Sequence, residues 1–229
     1  MSIKGLDNYV TLEPVAHKYF NKDGEEYISA SKFLATFKEP FDPRIADNCA
    51  GKGDYIGMSP DEVRAYWKEY GTERAGIGTV IHNANEMFSE TTQVLPENEW
   101  MRPALINIHS QYRDYHRCYN EVCLYDAENK IAGTSDRILV HTSHKDSVIS
   151  ISDYKTNLGS LPQIDLDKKG KQKIKYLLGP VSHMIESKYN LYSLQISLYS
   201  YMLQKQTGRR IGKLFIHYIN PVNPLINYH

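Results

Sequence analysis

One short segment, Gly133–Lys155, limits the possible folds of this chain because it predicts a β-hairpin with an acidic residue on each arm. Strand side chains alternate between the two faces of a sheet, so Asp136 and Asp153 each share a face with the aliphatic residues of their own arm. A turn centred on His144-Lys145 places the two aspartates directly opposite each other. The hairpin therefore predicts two facing carboxylates across a strand pair.

Two facing carboxylates require a positive charge between them. Carboxylates about 5 Å apart on neighbouring strands destabilise a sheet. A divalent cation relieves this repulsion, because hard ions such as Mg²⁺ take carboxylate oxygens as ligands. Lys155 follows Asp153 by two positions and points towards the same place. The pattern predicts a metal site, although exposed strand faces also carry an Asp and a Lys without any metal.

The composition describes an ordinary globular protein with no global nucleic-acid signature. Of the 229 residues, 41% are hydrophobic, which is enough for one domain with an ordinary core. The 27 basic and 27 acidic residues balance, so a nucleic acid would have to be held by a local patch. Cys49, Cys118 and Cys123 have no CxxC spacing, which indicates a reducing compartment and argues against a zinc or iron–sulfur site.

The sequence predicts a cytoplasmic protein with no membrane partner. Apolar runs stay far below the roughly 20 residues that a membrane-spanning helix needs. The first ten residues lack the apolar region of a signal peptide, and their acidic residue argues against a transit peptide.

Helix and strand signals along the chain indicate a mixed α/β order. The predicted elements are a hairpin running into a helix at 10–37, a loop at 38–58, helices at about 60–70 and 79–90, a helix from about 98 or 104 to 119, a strand at about 121–125, the hairpin, a lysine-rich loop at 157–180, a helix at about 187–206 and a strand at 213–219. Ser59, Pro60 and Glu62 form the capping signal of the second helix, and Gly71 is expected to stop it. This order predicts an α/β fold with a mixed sheet.

Two residue pairs at i, i+4 spacing are candidates for the same site. His82 and Glu86 share one helix face, and a neutral imidazole is a good metal ligand. A lone histidine on a half-apolar helix is more often structural, so this assignment depends on the hairpin. Gln195 and Tyr199 lie on the long helix. They could be part of its core face, but a buried amide needs hydrogen-bond partners, so Gln195 could instead fix a site residue or a phosphate.

A basic run follows the hairpin and could contact a phosphate backbone. Its members are Lys168, Lys169, Lys171, Lys173 and Lys175. Such a run could equally be a solvated loop. Beside a metal site, it would be suited to follow the phosphates of a nucleic acid.

Four short motifs follow one another along the chain: GTVIHNANE at 78–86, GTSD at 133–136, SDYKTN at 152–157 and QISLY at 195–199. In this order they resemble the RecB-like, phage-type exonuclease branch of the PD-(D/E)XK nuclease superfamily. The segment from HKYF to YISAS near the start resembles the lead-in of phage members, and the resemblance covers about residues 10–220. It implies a restriction-endonuclease-like core with a mixed central β-sheet flanked by helices. It also implies one nuclease domain over 1–229, with a lead-in at 1–60 and the core at 76–220.

The resemblance implies a role for each candidate residue. His82, Asp136, Asp153 and the Tyr154 carbonyl would bind one or two Mg²⁺ or Mn²⁺ ions. Lys155 would orient or activate the attacking water and neutralise charge on the phosphate, which makes Asp136, Asp153 and Lys155 the catalytic set. The remaining candidates would support the site or contact DNA: Glu86, Glu121, Gln195, Tyr199 and the lysine run.

The expected activity is metal-dependent hydrolysis of DNA, most simply by an exonuclease acting on DNA ends in recombination, repair or phage replication. A structure-specific endonuclease and a non-catalytic nucleic-acid-binding module remain alternatives. No cysteine follows Cys123, so the iron–sulfur cluster of many RecB-type relatives is not expected. The sequence lacks GxxxxGK[ST], so a helicase, a recombinase or a single-strand-binding protein would be a separate partner in a bacterial or phage-infected cell.

Overall fold

The computed structural model of the chain describes residue 3 and residues 5–141, 148–156 and 174–220. Within these ranges the strands are β1 Val10–Glu13, β2 Lys18–Asn21, β3 Glu26–Ser29, β4 Tyr115–Asp126, β5 Ile131–His141, β6 Val148–Thr156 and β7 Arg210–Ile219. The helices are α1 Ala30–Ala35, α2 Ile45–Cys49, α3 Pro60–Thr91, α4 Arg102–Ser110 and α5 Lys188–Thr207. None of these helices combines the length and the apolar character that crossing a membrane requires.

The strands form one mixed seven-stranded sheet flanked by helices, as the sequence predicted in outline. The order of hydrogen-bonded neighbours is β1-β2-β3-β5-β6-β7, and β4 pairs with β5 along its other edge. Two pairs are parallel, β3 with β5 and β6 with β7, and the others are antiparallel. Helix α5 connects β6 to β7 in the chain order, which agrees with the long crossover that a parallel pair needs.

The hairpin of β5 and β6 has the predicted register. Arg137 pairs with Ser152, and Val140 pairs with Ile149. Continued by one residue, this register brings Asp136 opposite Asp153. The turn predicted at His144-Lys145 lies outside the described residues.

Strand β5 has a gap in the pairing along one edge, and this gap is where the candidate site opens. β3 pairs with β5 only at Ile131 and Ala132, whereas the pairs with β6 begin at Arg137. Of the residues between them, 133–135 pair with β4 on the opposite edge, and 133–136 pair with neither β3 nor β6. These are the GTSD residues of the sequence.

Helices cover both faces of the sheet. Helix α5 packs Ile196, Met202 and Leu203 against β5 and β6 side chains such as Ile138 and Ile151. On the other face, α3 and α4 form a second core with Leu139, into which they pack Ile81, Phe88, Leu105 and Ile108. Because strand side chains alternate between the two faces of a sheet, β5 contributes residues to both cores.

The two helices predicted at 60–70 and 79–90 are a single helix, so the predicted stop at Gly71 is wrong. The capping box of Ser59 and Glu62 is confirmed, but α3 continues for 32 residues to Thr91. Each glycine inside a helix costs about 1 kcal/mol relative to alanine. Burial of Ile81, Ala84 and Phe88 at the far end stabilises the helix by more than its glycines cost.

Two further boundaries differ from the sequence predictions. The helix expected to reach residue 119 ends at Ser110, because Tyr115 already pairs with His141 of β5 and long-range pairing overrides local preference. The loop predicted at 38–58 contains α2 and a short 3₁₀ turn at Gly53–Tyr55. The predicted N-terminal hairpin, the long helix ending at Gly208 and the last strand are confirmed within one to three residues.

Candidate metal centre

Three carboxylates lie in one row across the central strands. The registers of β4 and β6 on β5, continued from the neighbouring pairs, align Glu121, Asp136 and Asp153. Among the described residues, ligand atoms of His82, Glu121 and Asp136 all lie within 4.8 Å of one another. An imidazole nitrogen and two carboxylate oxygens this close form a candidate cation site.

Helix α3 brings His82 to the row from outside the hairpin. Its Nδ1 atom lies 3.6 Å from Oδ1 of Asp136. Gly78, one turn earlier, lies close to β6, where a Cβ atom would be in van der Waals contact with Oγ1 of Thr156 at 3.4 Å. Burial and the nearby Lys155 charge lower the pKa of His82, against the opposing influence of Asp153 and of a hydrogen bond with the Tyr154 backbone. His82 is therefore neutral near pH 7, the form that binds metals.

Asp136 is the central carboxylate and is almost entirely surrounded by protein. Its Oδ2 accepts a hydrogen bond of 2.6 Å from the Tyr154 N–H. Burial and the charge of Asp153 raise the pKa of Asp136 well above its usual value, and Lys155 offsets only part of this effect. A cation bound at these oxygens would stabilise the ionised form of Asp136 and lower its pKa again.

Lys155 and Asp153 form a buried ion pair beside the three candidate ligands. Nζ of Lys155 lies 2.6 Å from Oδ2 of Asp153 and 5.1 Å from the centre of the Tyr192 ring. Burial acts to lower the pKa of Lys155, but the carboxylates of Asp153 and Asp136 outweigh it and raise that pKa. Lys155 is therefore a fixed positive charge at neutral pH.

Glu121 joins the site with an unusual backbone. Its φ of 49° lies in the left-handed region, which non-glycine residues adopt at a cost and which is frequent at functional sites. Burial and the charges of Glu86 and Asp153 raise the pKa of Glu121 to about 7, although Arg137 acts in the opposite direction. The sequence predicted Glu121 only as a supporting residue, whereas its position is that of a candidate ligand.

Gln195 and Tyr199 lie together on α5 at the open edge of β5. Nε2 of Gln195 donates to the Tyr199 hydroxyl at 2.9 Å. Tyr199 is buried, and burial together with the charge of Asp153 raises its pKa. Its ring lies directly against Gly133, where a Cβ atom would stand 2.6 Å from Cε1 of Tyr199. The glycine of the GTSD motif thus leaves room for the tyrosine of the QISLY motif.

Replacing Gly133 with alanine is expected to move Tyr199 and to lower the free energy of unfolding by about 1–3 kcal/mol, because overpacking of a core costs that much. Urea unfolding measures the loss. Gly76→Ala in α3 is the matched control: a Cβ there meets nothing within 4 Å, so this variant should be at least as stable as the wild type. Equal stability of the two variants would contradict the packing described here.

A polar network behind the site was missed by the sequence reasoning. Arg137, which is 1% exposed, donates to the Asn120 side chain at 2.9 Å and to the Asn85 carbonyl at 3.2 Å. Burial and this charge lower the pKa of His109 to about 3, so the imidazole is neutral and can accept from Arg137 Nη1 at 3.2 Å. Arg137 thereby joins α3, α4 and β4 behind Asp136. Only its place after Asp136 in the sequence could have drawn attention to it.

The structure places the predicted site residues in three ways. It brings together His82, Asp136 and Glu121, with Asp153, Lys155 and the Tyr154 backbone adjacent. Glu86 is not part of the three-residue ligand group and acts on it only through charge. Lys168, Lys169 and Lys171 lie outside the described residues.

Neither a protein-family model nor a curated protein nor a solved structure matches this chain. The function is therefore inferred from the geometry and chemistry of the site itself.

Proposed function

We propose that this protein is a metal-dependent DNA nuclease that hydrolyses phosphodiester bonds. The observation that carries the proposal is the candidate ligand group of His82, Glu121 and Asp136 beside the buried Asp153–Lys155 ion pair. A cation and a fixed ammonium at one place suit a substrate that gains negative charge during the reaction. Phosphodiesters are such substrates.

The donor set fits Mg²⁺ or Mn²⁺. Carboxylate oxygens suit both ions, and an imidazole among the ligands is better tolerated by Mn²⁺. His82, Glu121 and Asp136 would hold one ion. By the resemblance, Asp153 and the Tyr154 carbonyl would be further ligands. When bound, the ion supplies positive charge at the phosphoryl oxygens and favours deprotonation of the attacking water.

The side chains of the chain itself provide positioning and charge. In hydrolysis, the water oxygen bonds to phosphorus, the bond to the leaving sugar oxygen breaks, and negative charge grows on the phosphoryl oxygens. Lys155 remains protonated, so it acts as a hydrogen-bond donor and a point charge and not as a base. Asp153 holds the ammonium at 2.6 Å and fixes its direction.

The order of the elements around the site supports a restriction-endonuclease-like core. Helix α3 contributes His82, the antiparallel strands β4, β5 and β6 contribute the carboxylates and Lys155, and α5 leads to β7 parallel with β6. Within the described residues, the four motifs of the resemblance fall on these elements, at 78–86, 133–136, 152–156 and 195–199. We propose that they form the catalytic core and that DNA is the substrate.

An exonuclease acting on DNA ends is the first form of this proposal, and a structure-specific endonuclease is the second. The test uses end-labelled linear DNA, single- and double-stranded, and a closed circle, each incubated with Mn²⁺ or with EDTA. We expect linear DNA to be digested in Mn²⁺ and to stay intact in EDTA. Nicking of the circle would favour the endonuclease. Tight DNA binding with no cleavage of any substrate would contradict the enzyme and favour a binding module.

A further inference from the structure

A cleft of about 260 Å³ is lined both by two of the candidate ligands, Glu121 and Asp136, and by His17 and Tyr19 of the β1–β2 hairpin. Whatever occupies this cleft is therefore adjacent to the group that would hold the scissile phosphate.

The described residues that line this cleft are mostly polar, partly aromatic and include no lysine or arginine. Hydroxyl groups come from Ser29, Ser31, Tyr19 and Thr134, with the last two in contact at 3.2 Å, and an amide comes from Gln195. The charged groups among these residues are the carboxylates of Glu121 and Asp136. A phosphate in the cleft would meet these carboxylates and no cation from the described lining, whereas a nucleobase would find hydrogen-bond partners and ring faces.

The cleft is small for a nucleic-acid ligand. Its 260 Å³ lies just below the roughly 300–1,000 Å³ of pockets for drug-sized ligands. We expect a planar base to enter with its edge against the polar lining in place of its pairing partner. Leaving that partner costs a few kcal/mol in a duplex, and least where the base is mismatched or single-stranded.

His17 is an exposed residue of the cleft lining and has a strained backbone. Its φ of 49° lies in the left-handed region that a histidine adopts at a cost, and its ring meets Tyr19 edge-on with 6.1 Å between centres. The preceding turn is held by Glu13, whose carboxylate accepts from the backbone N–H groups of Val15 and Ala16. The turn thus holds a ring at the cleft, where a base can stack on it.

We propose that this cleft receives the unpaired base next to the scissile phosphate and so restricts cleavage to single-stranded or frayed DNA. The inference rests on the proposed nuclease function and specifies its substrate. His17 and Ser31 are specificity-determining positions in this scheme. Blunt duplex DNA must open a terminal pair before it can be cut, so its cleavage is slower.

The first test measures binding without cleavage, in Ca²⁺. A short single-stranded oligonucleotide is compared with the same oligonucleotide carrying an abasic residue at either end. In the wild type, loss of the base should weaken binding about tenfold. His17→Gly removes the ring, and glycine adopts the left-handed φ readily. Ser31→Leu places a larger side chain in the cleft and so fills part of it. In both variants, the two oligonucleotides should bind equally.

Two matched controls separate the cleft from general changes in the protein. Thr92→Gly makes the same backbone change at another left-handed residue, with φ 57°, and Ala35→Leu adds the same side chain elsewhere on α1. Neither residue lines the cleft, so both variants should keep the tenfold preference. If the wild type binds the abasic oligonucleotide as well as the intact one, the base-binding role is wrong.

The second test measures cleavage in Mn²⁺ of a blunt duplex and of the same duplex with one mismatched terminal pair. We expect at least tenfold faster cleavage of the mismatched end by the wild type, and a ratio near one in Ser31→Leu. An unchanged ratio in that variant would overturn the assignment of the cleft. Base-dependent binding in Ca²⁺ with no cleavage of any DNA would support the base-binding role of the cleft and contradict the nuclease function.

Discussion

Asp136→Asn is expected to abolish Mn²⁺-dependent DNA cleavage, with a loss of about a thousandfold or more. The carboxylate is central to the row across β4, β5 and β6, and it lies within reach of both His82 and Glu121. Bound metal supplies several kcal/mol of stabilisation to the transition state, and each 1.4 kcal/mol is a factor of ten in rate. Asparagine keeps the shape of Asp136 and removes the charge that an ion requires.

The measurement pairs DNA cleavage with a Mn²⁺ binding titration. Asp126→Asn is the matched control, because Asp126 is also a buried strand aspartate, 2.7 Å from Lys205, but outside the candidate ligand group. It should lose stability and keep both Mn²⁺ binding and cleavage. Normal Mn²⁺ affinity in Asp136→Asn would contradict the metal assignment.

Lys155→Met is expected to keep Mn²⁺ binding and to lower kcat by about 10²–10³-fold, the loss seen when one preorganised donor to a developing negative charge is removed. The ammonium is fixed at 2.6 Å from Asp153 and remains protonated at neutral pH. Methionine fills similar space without charge. Removal of one partner of a buried ion pair costs about 3–5 kcal/mol, so circular dichroism must first show that the variant is folded.

Single-turnover cleavage at saturating Mn²⁺ separates the chemical role of Lys155 from DNA binding. Lys205→Met is the control, since it removes an ammonium from another buried aspartate, at 2.7 Å from Asp126. This control should cleave DNA at the wild-type rate. An unchanged kcat with a raised KM in Lys155→Met would mean that the lysine binds DNA and takes no part in the reaction.

The sequence predicted the parts of the site that local pattern determines. Alternation along β5 and β6 and the length of their connection define the register, so the facing of Asp136 and Asp153 followed from spacing alone. The long helix α5 was predicted at about 187–206 with its end at Gly208, and the structure has Gly208 in the left-handed conformation that ends a helix.

The parts that depend on tertiary contacts could not be predicted in this way. Glycines in α3 looked like breaks, and only the packing of its far end against the sheet keeps it continuous. Glu121 becomes a candidate ligand through its register on β5 and its left-handed backbone, neither of which is visible in the residue type. Arg137 interacts with Asn85, His109 and Asn120 across three elements, a set that no spacing in the chain indicates.

The contact between Gly133 and Tyr199 also limits how this protein can diverge. With no room for a Cβ under the aromatic ring, the two positions cannot vary independently. Relatives should fall into two groups, those with glycine beneath an aromatic ring and those with a side chain beneath a smaller residue. Such paired variation would reflect the space available between the two positions and not the reaction. Glycine would then be retained at position 133 because the Tyr199 ring needs room there, and not because hydrolysis requires it.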